Sequence, residues 1–342
     1  MTRFAKIPAT IITGFLGAGK TTLVRHLLTQ ANGRRIALIV NEFGDIGVDG
    51  ELLASCGIKG CREDDIIELA NGCLCCTVAD EFLPVMERLL ARPLPPEHII
   101  IETSGLALPK PLVKAFDWPD IRSKVTVDGV IAVVDGPAAA SGRFESTEEQ
   151  RARPDHDNPL EEVFVDQLAC ADMVLLNKAD LLDENQLARL TTALRAKLRP
   201  GVQLLTTHQG AVDAAILLGL DAKAEDNLAA RPTLHDTALD HNHDDFESFA
   251  VPLGVVRDPQ ALTARLSDII VRHDILRLKG FLTVAGKDMR HVVQAVGNRV
   301  SGYYDRPWKA GEDRAGQLVV IGLKGLDREA IQRQINASIG QA

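Results

Sequence analysis

Short, continuous apolar runs alternate with amphipathic stretches over roughly the first two hundred residues. The segments 7–13 (IPATIIT), 35–41 (RIALIVN), 98–103 (HIIIET), 127–135 (VDGVIAVVD) and 171–178 (ADMVLLNK) are short and rich in β-branched residues. Little polar alternation interrupts them, so each predicts a strand buried on both faces. Between them, 21–30 (TTLVRHLLTQ) has helical spacing, and further helices are expected at 77–91, 159–170 and 184–198, with a strand at 202–206. Strands alternating with helices predict an α/β architecture, a mostly parallel sheet covered on both sides. Right-handed crossovers then place any ligand at the C-terminal ends of the strands.

Two stretches break the rhythm. Residues 136–158 are polar, contain Pro and Gly, have no clean period, and look like a mobile excursion. Residues 221–247 are acidic and His-bearing and look like a linker. Beyond them, 248–256, 275–285, 291–304 and 316–324 are strand candidates, and 259–271 and 327–339 have helical spacing. That order suggests a small α+β domain. The expected organisation is therefore a first domain over 1–220, a linker over 221–247 and a smaller α+β domain over 248–342.

Composition adds few constraints. A chain of 342 residues is long for one core, which agrees with two domains. Its 46% hydrophobic and 25% charged content is ordinary for a globular protein. A net charge of -9 argues against a general nucleic-acid binder. No apolar run is long enough to cross a membrane, and the Gly-rich N-terminal stretch reads as a strand entering a loop and not as a signal peptide. The expectation is a cytoplasmic protein with neither membrane nor nucleic acid as partner, its thiols kept reduced.

The first strand runs into GFLGAGKT, residues 14–21, which fits G-x-x-x-x-G-K-[ST] with a strand before it and a helix after it. Glycines at 14, 17 and 19 let backbone N–H groups turn inward toward phosphate oxygens, and the helix N-terminus adds a favourable dipole. The nucleotide-binding set is Gly14, Gly17, Ala18, Gly19, Lys20, Thr21 and Thr22. Lys20 reaches the β- and γ-phosphates, and the Thr21 hydroxyl suits Mg²⁺. At the end of the strand at 98–103, Glu102 and Gly105 form an E-x-x-G. Glu102 can hold a Mg²⁺ water or orient the attacking water, and the Gly105 N–H can sense the γ-phosphate. Lys20, Glu102 and Gly105 are accordingly the catalytic candidates.

The strand at 171–178 ends in NKAD, residues 177–180. The Asp180 carboxylate can accept from both the ring N–H and the exocyclic amine of guanine, a donor pair that adenine lacks, which favours GTP over ATP. The Lys178 stem can lie along the base, and Asn177 can tie the loop to the base or to the phosphate loop. Asp180 and Asp183 are alternatively helix caps. The segment 206–210 (TTHQG) can add backbone contacts to the guanine edge.

Half of the six cysteines fall within four positions, at Cys73, Cys75 and Cys76. Adjacent and alternate thiols cannot close an unstrained disulfide among themselves. Thiolates can instead converge on Zn²⁺ or another divalent transition metal. An incomplete thiolate set suggests a site that loads and unloads. A closed structural zinc site that recruits Cys56 and Cys61 is the alternative.

Taken in order, GFLGAGKTT, NEFGDIGVD (41–49), GCLCC (72–76), ETSGLALP (102–109), NKADL (177–181) and RLKGFLTVAG (277–286) resemble the CobW family of metal-handling P-loop GTPases, over the whole chain. The resemblance implies a metallochaperone in which GTP and Mg²⁺ order a C-x-C-C metal site. Carried onto this chain, the metal ligands are Cys73, Cys75 and Cys76, with most weight on Cys75 and Cys76, and Glu42 and Asp49 are Mg²⁺ or outer-sphere groups. The pattern is most like the family's cobalamin-biosynthesis member, which implies Co²⁺ as cargo and a cobalt chelatase as client. Thiolate chemistry by itself favours Zn²⁺, and a zinc- or nickel-supplying GTPase has the same ligands. His235, His241 and His243 stand where relatives carry long His runs, and read either as a weak metal-collecting patch or as solvated linker. His26 and His98 read as structural.

Overall fold

The computed structural model describes residues 6–31, 33–41, 66–69, 82–144, 159–232, 246–296, 299–308, 312 and 314–340. They fall into two compact units, the first ending in the region of residue 232 and the second beginning at Phe246.

In chain order the first unit contains β1 (Ile7–Thr13), α1 (Lys20–Thr29), β2 (Ile36–Asn41), β3 (Ile66–Leu69), α2 (Leu83–Leu90) and β4 (His98–Glu102). There follow α3 (Pro109–Ala115), α4 (Pro119–Arg122), β5 (Val125–Asp135), α5 (Gly136–Ala140), α6 (Pro159–Cys170), β6 (Met173–Asn177), α7 (Glu184–Lys197), β7 (Gln203–Thr206) and α8 (Ala214–Leu217). The seven strands form one sheet in the order β3-β2-β4-β1-β5-β6-β7, and every pair is parallel. The strands that read as continuous apolar runs are the ones buried on both faces, as β2, β4 and β6 are along their whole length. Glu102, Asp135 and Asn177 stand at strand ends, while Thr10 of β1 and Asp128 of β5 are buried polar residues within their strands. Glu102 stands level with Ile12 of β1, and Asp135 of β5 level with Asn177 of β6. The central position of β1 therefore sets its outgoing loop among three polar strand ends.

Residues 221–232, which read as linker in the sequence, instead belong to this unit. A 3-10 helix, Ala224–Ala230, packs on the sheet, with Ala224 in the core. The Glu225 carboxylate accepts from the Thr126 hydroxyl at 2.6 Å and from the Val127 N–H at 2.9 Å. Arg231 is 1% exposed, pairs with Asp172 at 2.6 Å and donates to the Cys170 carbonyl. The stretch looked solvated because its charges meet partners 59 to 99 residues away, which no local pattern displays.

His98 opens β4 with 4% exposure and shares a 2.8 Å hydrogen bond with the Thr10 hydroxyl. Burial pushes its pKa down to about 4, against the pull of Asp128. The unfolded chain takes up this proton below about 6.5 and the folded chain only below about 4, so stability is lost as pH falls through that window. Between pH 7 and pH 5 the loss from this residue is about 2 kcal/mol. Denaturant titrations at both pH values should show that loss in the wild type and not in His98→Gln. An identical pH dependence in the two proteins would count against it.

The second unit contains β8 (Phe246–Leu253), α9 (Pro259–Arg272), β9 (Arg277–Leu282), β10 (Met289–Val296), β11 (Arg299–Pro307), β12 (Gly316–Leu323) and α10 (Arg328–Gly340). Its sheet has the order β11-β10-β9-β12-β8, with every pair antiparallel. Leu262, Leu266, Ile269 and Ile270 of α9 and Ile331 and Ile335 of α10 share one core with Val251, Leu278, Val293, Leu318 and Val320. The stretch 291–304 is a hairpin of two strands and not one strand, since Val296 pairs with Arg299. Arg290 is fully buried, bonds Asp305 at 2.5 Å and lies 3.8 Å from the Phe281 ring centre. Removing one member of such a pair costs about 3–5 kcal/mol, because the other charge is left buried alone.

Candidate functional site

The loop between β1 and α1 owes its shape to glycine. Gly14 has φ 136°, and a Cβ there would lie 2.2 Å from the Val133 carbonyl oxygen. Gly19 has φ 106°, and a Cβ there would meet the Asn177 amide nitrogen at 2.3 Å. Any other residue at either position would be strained and would also clash, so the loop lies against β5 and the end of β6 at the closest approach backbone allows. Gly19 is the N-cap of α1, and the first turn has neither a side-chain cap nor an acidic residue. Its N–H groups therefore suit an anion. Lys20 is 4% exposed and curls back over the loop, donating to the carbonyls of Gly14 at 2.7 Å and Phe15 at 3.3 Å. Ala18 is buried within the loop, whereas Thr22 is exposed.

On one side lies the end of β4. The Thr21 hydroxyl donates to Glu102 at 2.8 Å, and Glu102 is 3% exposed. A hydroxyl and a carboxylate held together are hard oxygen donors of the kind Mg²⁺ takes, so these residues fit that ion. Beyond Glu102, the Thr103 N–H donates to the Ile12 carbonyl and its hydroxyl to Thr13, tying the E-x-x-G loop to β1. A Cβ on Gly105 would lie 2.7 Å from the Leu16 backbone nitrogen, so this glycine permits the two loops to touch. From α6, the buried Gln167 donates to the carbonyls of Gly105 and Ala107, both at 3.3 Å.

On the other side lie the ends of β5 and β6. Asn177 is 1% exposed; its amide donates to the Ala18 carbonyl at 2.8 Å and accepts from the Gly210 N–H at 3.1 Å. One side chain thus joins the phosphate loop to the 206–210 segment. Lys178 takes a left-handed backbone, φ 59°, and its ammonium bridges the Gly17 carbonyl and the Asp135 carboxylate, each at 2.7 Å. A bulky residue held in that conformation is a common mark of a functional turn. Asp180 follows in a 3-10 turn, Ala179–Leu181, with its carboxylate exposed. Asp183 caps α7 in a full capping box with Gln186, so the capping role suggested for both aspartates falls to Asp183.

Three features here are missing from the sequence reading. Asp135 ends β5, caps α5 through the Ala138 N–H and is the counter-ion of Lys178. An acid closing the continuous apolar run 130–134 was the available signal. Gln167 carries no such signal, because its partners lie 60 and 62 residues away. Phe144 packs between Phe15 of the phosphate loop, tilted at 4.9 Å, and Phe164 of α6, stacked at 4.7 Å. Residues 136–144 are therefore a helix and a packed aromatic, while 145–158 lie outside the described residues.

Glu42, Asp49, Cys56, Cys61, Cys73, Cys75, Cys76, His235, His241 and His243 also lie outside the described residues. Among the described residues no group of three or more His, Cys, Asp and Glu side chains is placed to hold a metal ion. Cys170 is fully buried, and burial pushes its thiol up to about 11, so it stays a protonated core residue. No helix among the described residues is long and apolar enough to cross a membrane.

Comparison with known proteins agrees with this geometry. Residues 8–206 match the family model described as CobW/HypB/UreG, nucleotide-binding domain, and residues 246–339 match the Cobalamin synthesis protein cobW C-terminal domain. The chain is 52% identical to the "Zinc chaperone CobW" of a Sinorhizobium species over 98% of both chains. It is also 52% identical to the "Zinc chaperone CobW" of Pseudomonas aeruginosa, over 99% of this chain and 93% of that one. It is 31% identical to the "Zinc chaperone YjiA" of Escherichia coli, over 93% of this chain and 94% of that one. The first match spans more than half of the chain, over the parallel sheet and its glycine-built phosphate loop, and the second spans the antiparallel unit, so the chain belongs to the CobW/HypB/UreG family of GTPases.

Proposed function

We propose that the protein is a zinc metallochaperone of the cytosol, which holds Zn²⁺ tightly when loaded with GTP and hands it to a client protein after hydrolysis. The observation that carries this reading is the convergence of Lys20, the Thr21–Glu102 pair, Gly105 and the Asn177–Lys178 pair on one phosphate loop. The same chain carries Cys73, Cys75 and Cys76 between that loop and the E-x-x-G.

Each residue then has a task. Lys20 exchanges its two loop carbonyls for the β- and γ-phosphates, and the N–H groups of the first turn of α1 take the remaining oxygens. Thr21 and Glu102 would hold Mg²⁺, which neutralises charge that develops on the phosphates. Gly105, held from below by Gln167 and pressed on Leu16, can offer its N–H to the third phosphate. Asp180 reads guanine, while Lys178, neutralised by Asp135, steadies the turn that presents it. Glu42 and Asp49 are proposed Mg²⁺ or outer-sphere groups, and Cys73, Cys75 and Cys76 the zinc ligands. Loss of the third phosphate removes the contacts that gather the thiolates, and the ion leaves.

Zinc is favoured over cobalt on two counts. Thiolate donors and the intrinsic affinity order prefer Zn²⁺ to Co²⁺. The relatives at 52% identity are also named zinc chaperones. The cobalt and cobalt-chelatase reading rests on the cobalamin resemblance alone, and the same titration run with Co²⁺ separates the two.

The test measures Zn²⁺ affinity by competition with a chromophoric chelator, once with GDP and once with a non-hydrolysable GTP analogue. Coupling between linked sites is typically about 5- to 150-fold. Affinity should therefore be about 5- to 150-fold tighter with the analogue, and Zn²⁺ should tighten analogue binding by the same factor. Equal affinities would defeat the switch. Tight binding in the nucleotide-free protein that resists chelation until the protein unfolds would point to a permanent structural zinc instead.

A further inference from the structure

The second unit carries a cleft that the GTPase reading leaves unused. It has a volume of about 810 Å³ and lies between the first turn of α9 and the β10–β11 hairpin. Arg257, Thr263, Lys287, His291, Tyr303 and Tyr304 line it. We propose that this cleft docks an extended, acidic polypeptide segment of a partner protein, added as a further strand along β11.

Four observations converge on that occupant. The first is the edge itself. β11 ends the sheet, and among the described residues no strand pairs with its outer side. A row of backbone N–H and C=O groups beside a groove is the arrangement that captures an extended peptide. The second is His291. Its side chain is buried, the residue being 6% exposed, and its Nδ1 has no hydrogen-bond partner among the described residues. A Cβ on Gly302 would lie 2.5 Å from the ring, so the glycine across the strand pair makes the room the imidazole occupies. A buried ring nitrogen left unpaired is costly, and a peptide group entering the cleft could satisfy it. Burial also holds the His291 pKa below its usual value against the pull of Asp305, which makes this a neutral hydrogen-bonding group and not a cation.

The third observation is the aromatic pair. Tyr303 is 42% exposed and Tyr304 40%, and the Tyr304 ring meets His291 edge-on at 4.8 Å. Exposed tyrosines beside a concave surface are typical of protein contacts, since each offers a large apolar face and a polar tip. The fourth is charge. Arg257 and Lys287 are both exposed at the cleft, and the one acid among its described lining residues, Asp258, already accepts from the N–H groups of Gln260 and Ala261 at 2.9 and 3.0 Å. The cleft is thus cationic and complements carboxylates.

The probes are fluorescein-labelled peptides of four Glu-Val repeats and of four Lys-Val repeats, titrated into the full chain by fluorescence polarisation. The Glu-Val peptide should bind at least tenfold tighter than the Lys-Val peptide and should slow amide hydrogen exchange at residues 301–304. Arg257→Glu with Lys287→Glu should weaken Glu-Val binding at least tenfold. An unchanged thermal unfolding profile and unchanged exchange protection of the β8–β12 core amides in that variant would show that its second unit is folded, and unchanged GTP binding keeps this test separate from the metallochaperone reading. Equal binding of both peptides, binding that survives the charge reversal, or no slowing at 301–304 would overturn the proposal. So would a doubling of mass that protects the same amides without peptide, since the occupant would then be a second copy.

Discussion

Asp180→Asn should lower affinity for GTP by about two to three orders of magnitude and create tight binding to the xanthine nucleotide XTP. The carboxylate stands in an exposed 3-10 turn just after Lys178, and the neighbouring cap is made by Asp183 instead. Its carboxylate oxygens are thus available to a ligand. Guanine presents a ring N–H and an exocyclic amine, both donors, to a carboxylate that accepts both. An asparagine keeps one acceptor and replaces the other with an NH₂, so two donors face each other. Two charge-assisted bonds at about 1.5–3 kcal/mol each are weakened or lost, which gives the stated range after partial compensation by water. Xanthine carries a carbonyl where guanine carries the amine, and the asparagine NH₂ can donate to it. Fluorescent GTP and XTP analogues titrated into both proteins measure the exchange. Unchanged GTP affinity in the variant would remove Asp180 from the base site. Thermal stability should hardly change, because an exposed side chain that caps nothing is being replaced.

The parts of this site that were legible in the sequence share one property, that their determinants are local. Gly14, Gly17, Gly19, Lys20 and Thr21 lie within eight residues, and the backbone they shape is the one the phosphate chemistry needs. The strands β2, β4 and β6 were legible because burial on both faces leaves their interior positions apolar. What remained hidden depends on long-range pairing. Asp135 meets Lys178 across 43 residues, Asn177 meets Ala18 across 159, and Glu225 meets Thr126 across 99. A charge with a buried partner and a charge in water look the same in a linear pattern, which is why 221–232 read as linker. The β10–β11 hairpin was hidden for a different reason. Its strand-like character continues on both sides of Gly297 and Asn298, so one long strand and two short ones look alike there. Phe15 shows the same limit inside the motif, since its contact with Phe144 adds a support that the G-x-x-x-x-G-K-[ST] pattern does not specify.

Cys75→Ala combined with Cys76→Ala should weaken Zn²⁺ binding in the GTP-analogue state by at least about four orders of magnitude, while nucleotide affinity without zinc stays within about twofold. Structural zinc in four-ligand sites is held with about 10–16 kcal/mol at neutral pH, or about 2.5–4 kcal/mol per ligand. Removing two thiolates therefore costs about 5–8 kcal/mol, since a methyl group offers the ion nothing in return. Nucleotide affinity is spared because the groups assigned to GTP, from Lys20 and Glu102 to Asn177 and Lys178, hydrogen-bond within the loops described and contain no cysteine. Cys170 cannot substitute, since its thiol is buried in the sheet core and stays protonated. Reciprocity gives the sharper readout. In the wild type, zinc should tighten the GTP analogue more than GDP, and in the double variant that difference should vanish even at zinc concentrations that saturate any residual site. A variant that kept nucleotide-dependent zinc binding would place the cargo on other ligands, with Cys56, Cys61 and the histidines at 235, 241 and 243 the next to replace. A variant that lost GTP binding together with zinc would show that the cysteines support the nucleotide site itself, and the division between a phosphate loop that senses and thiolates that carry would have to be redrawn.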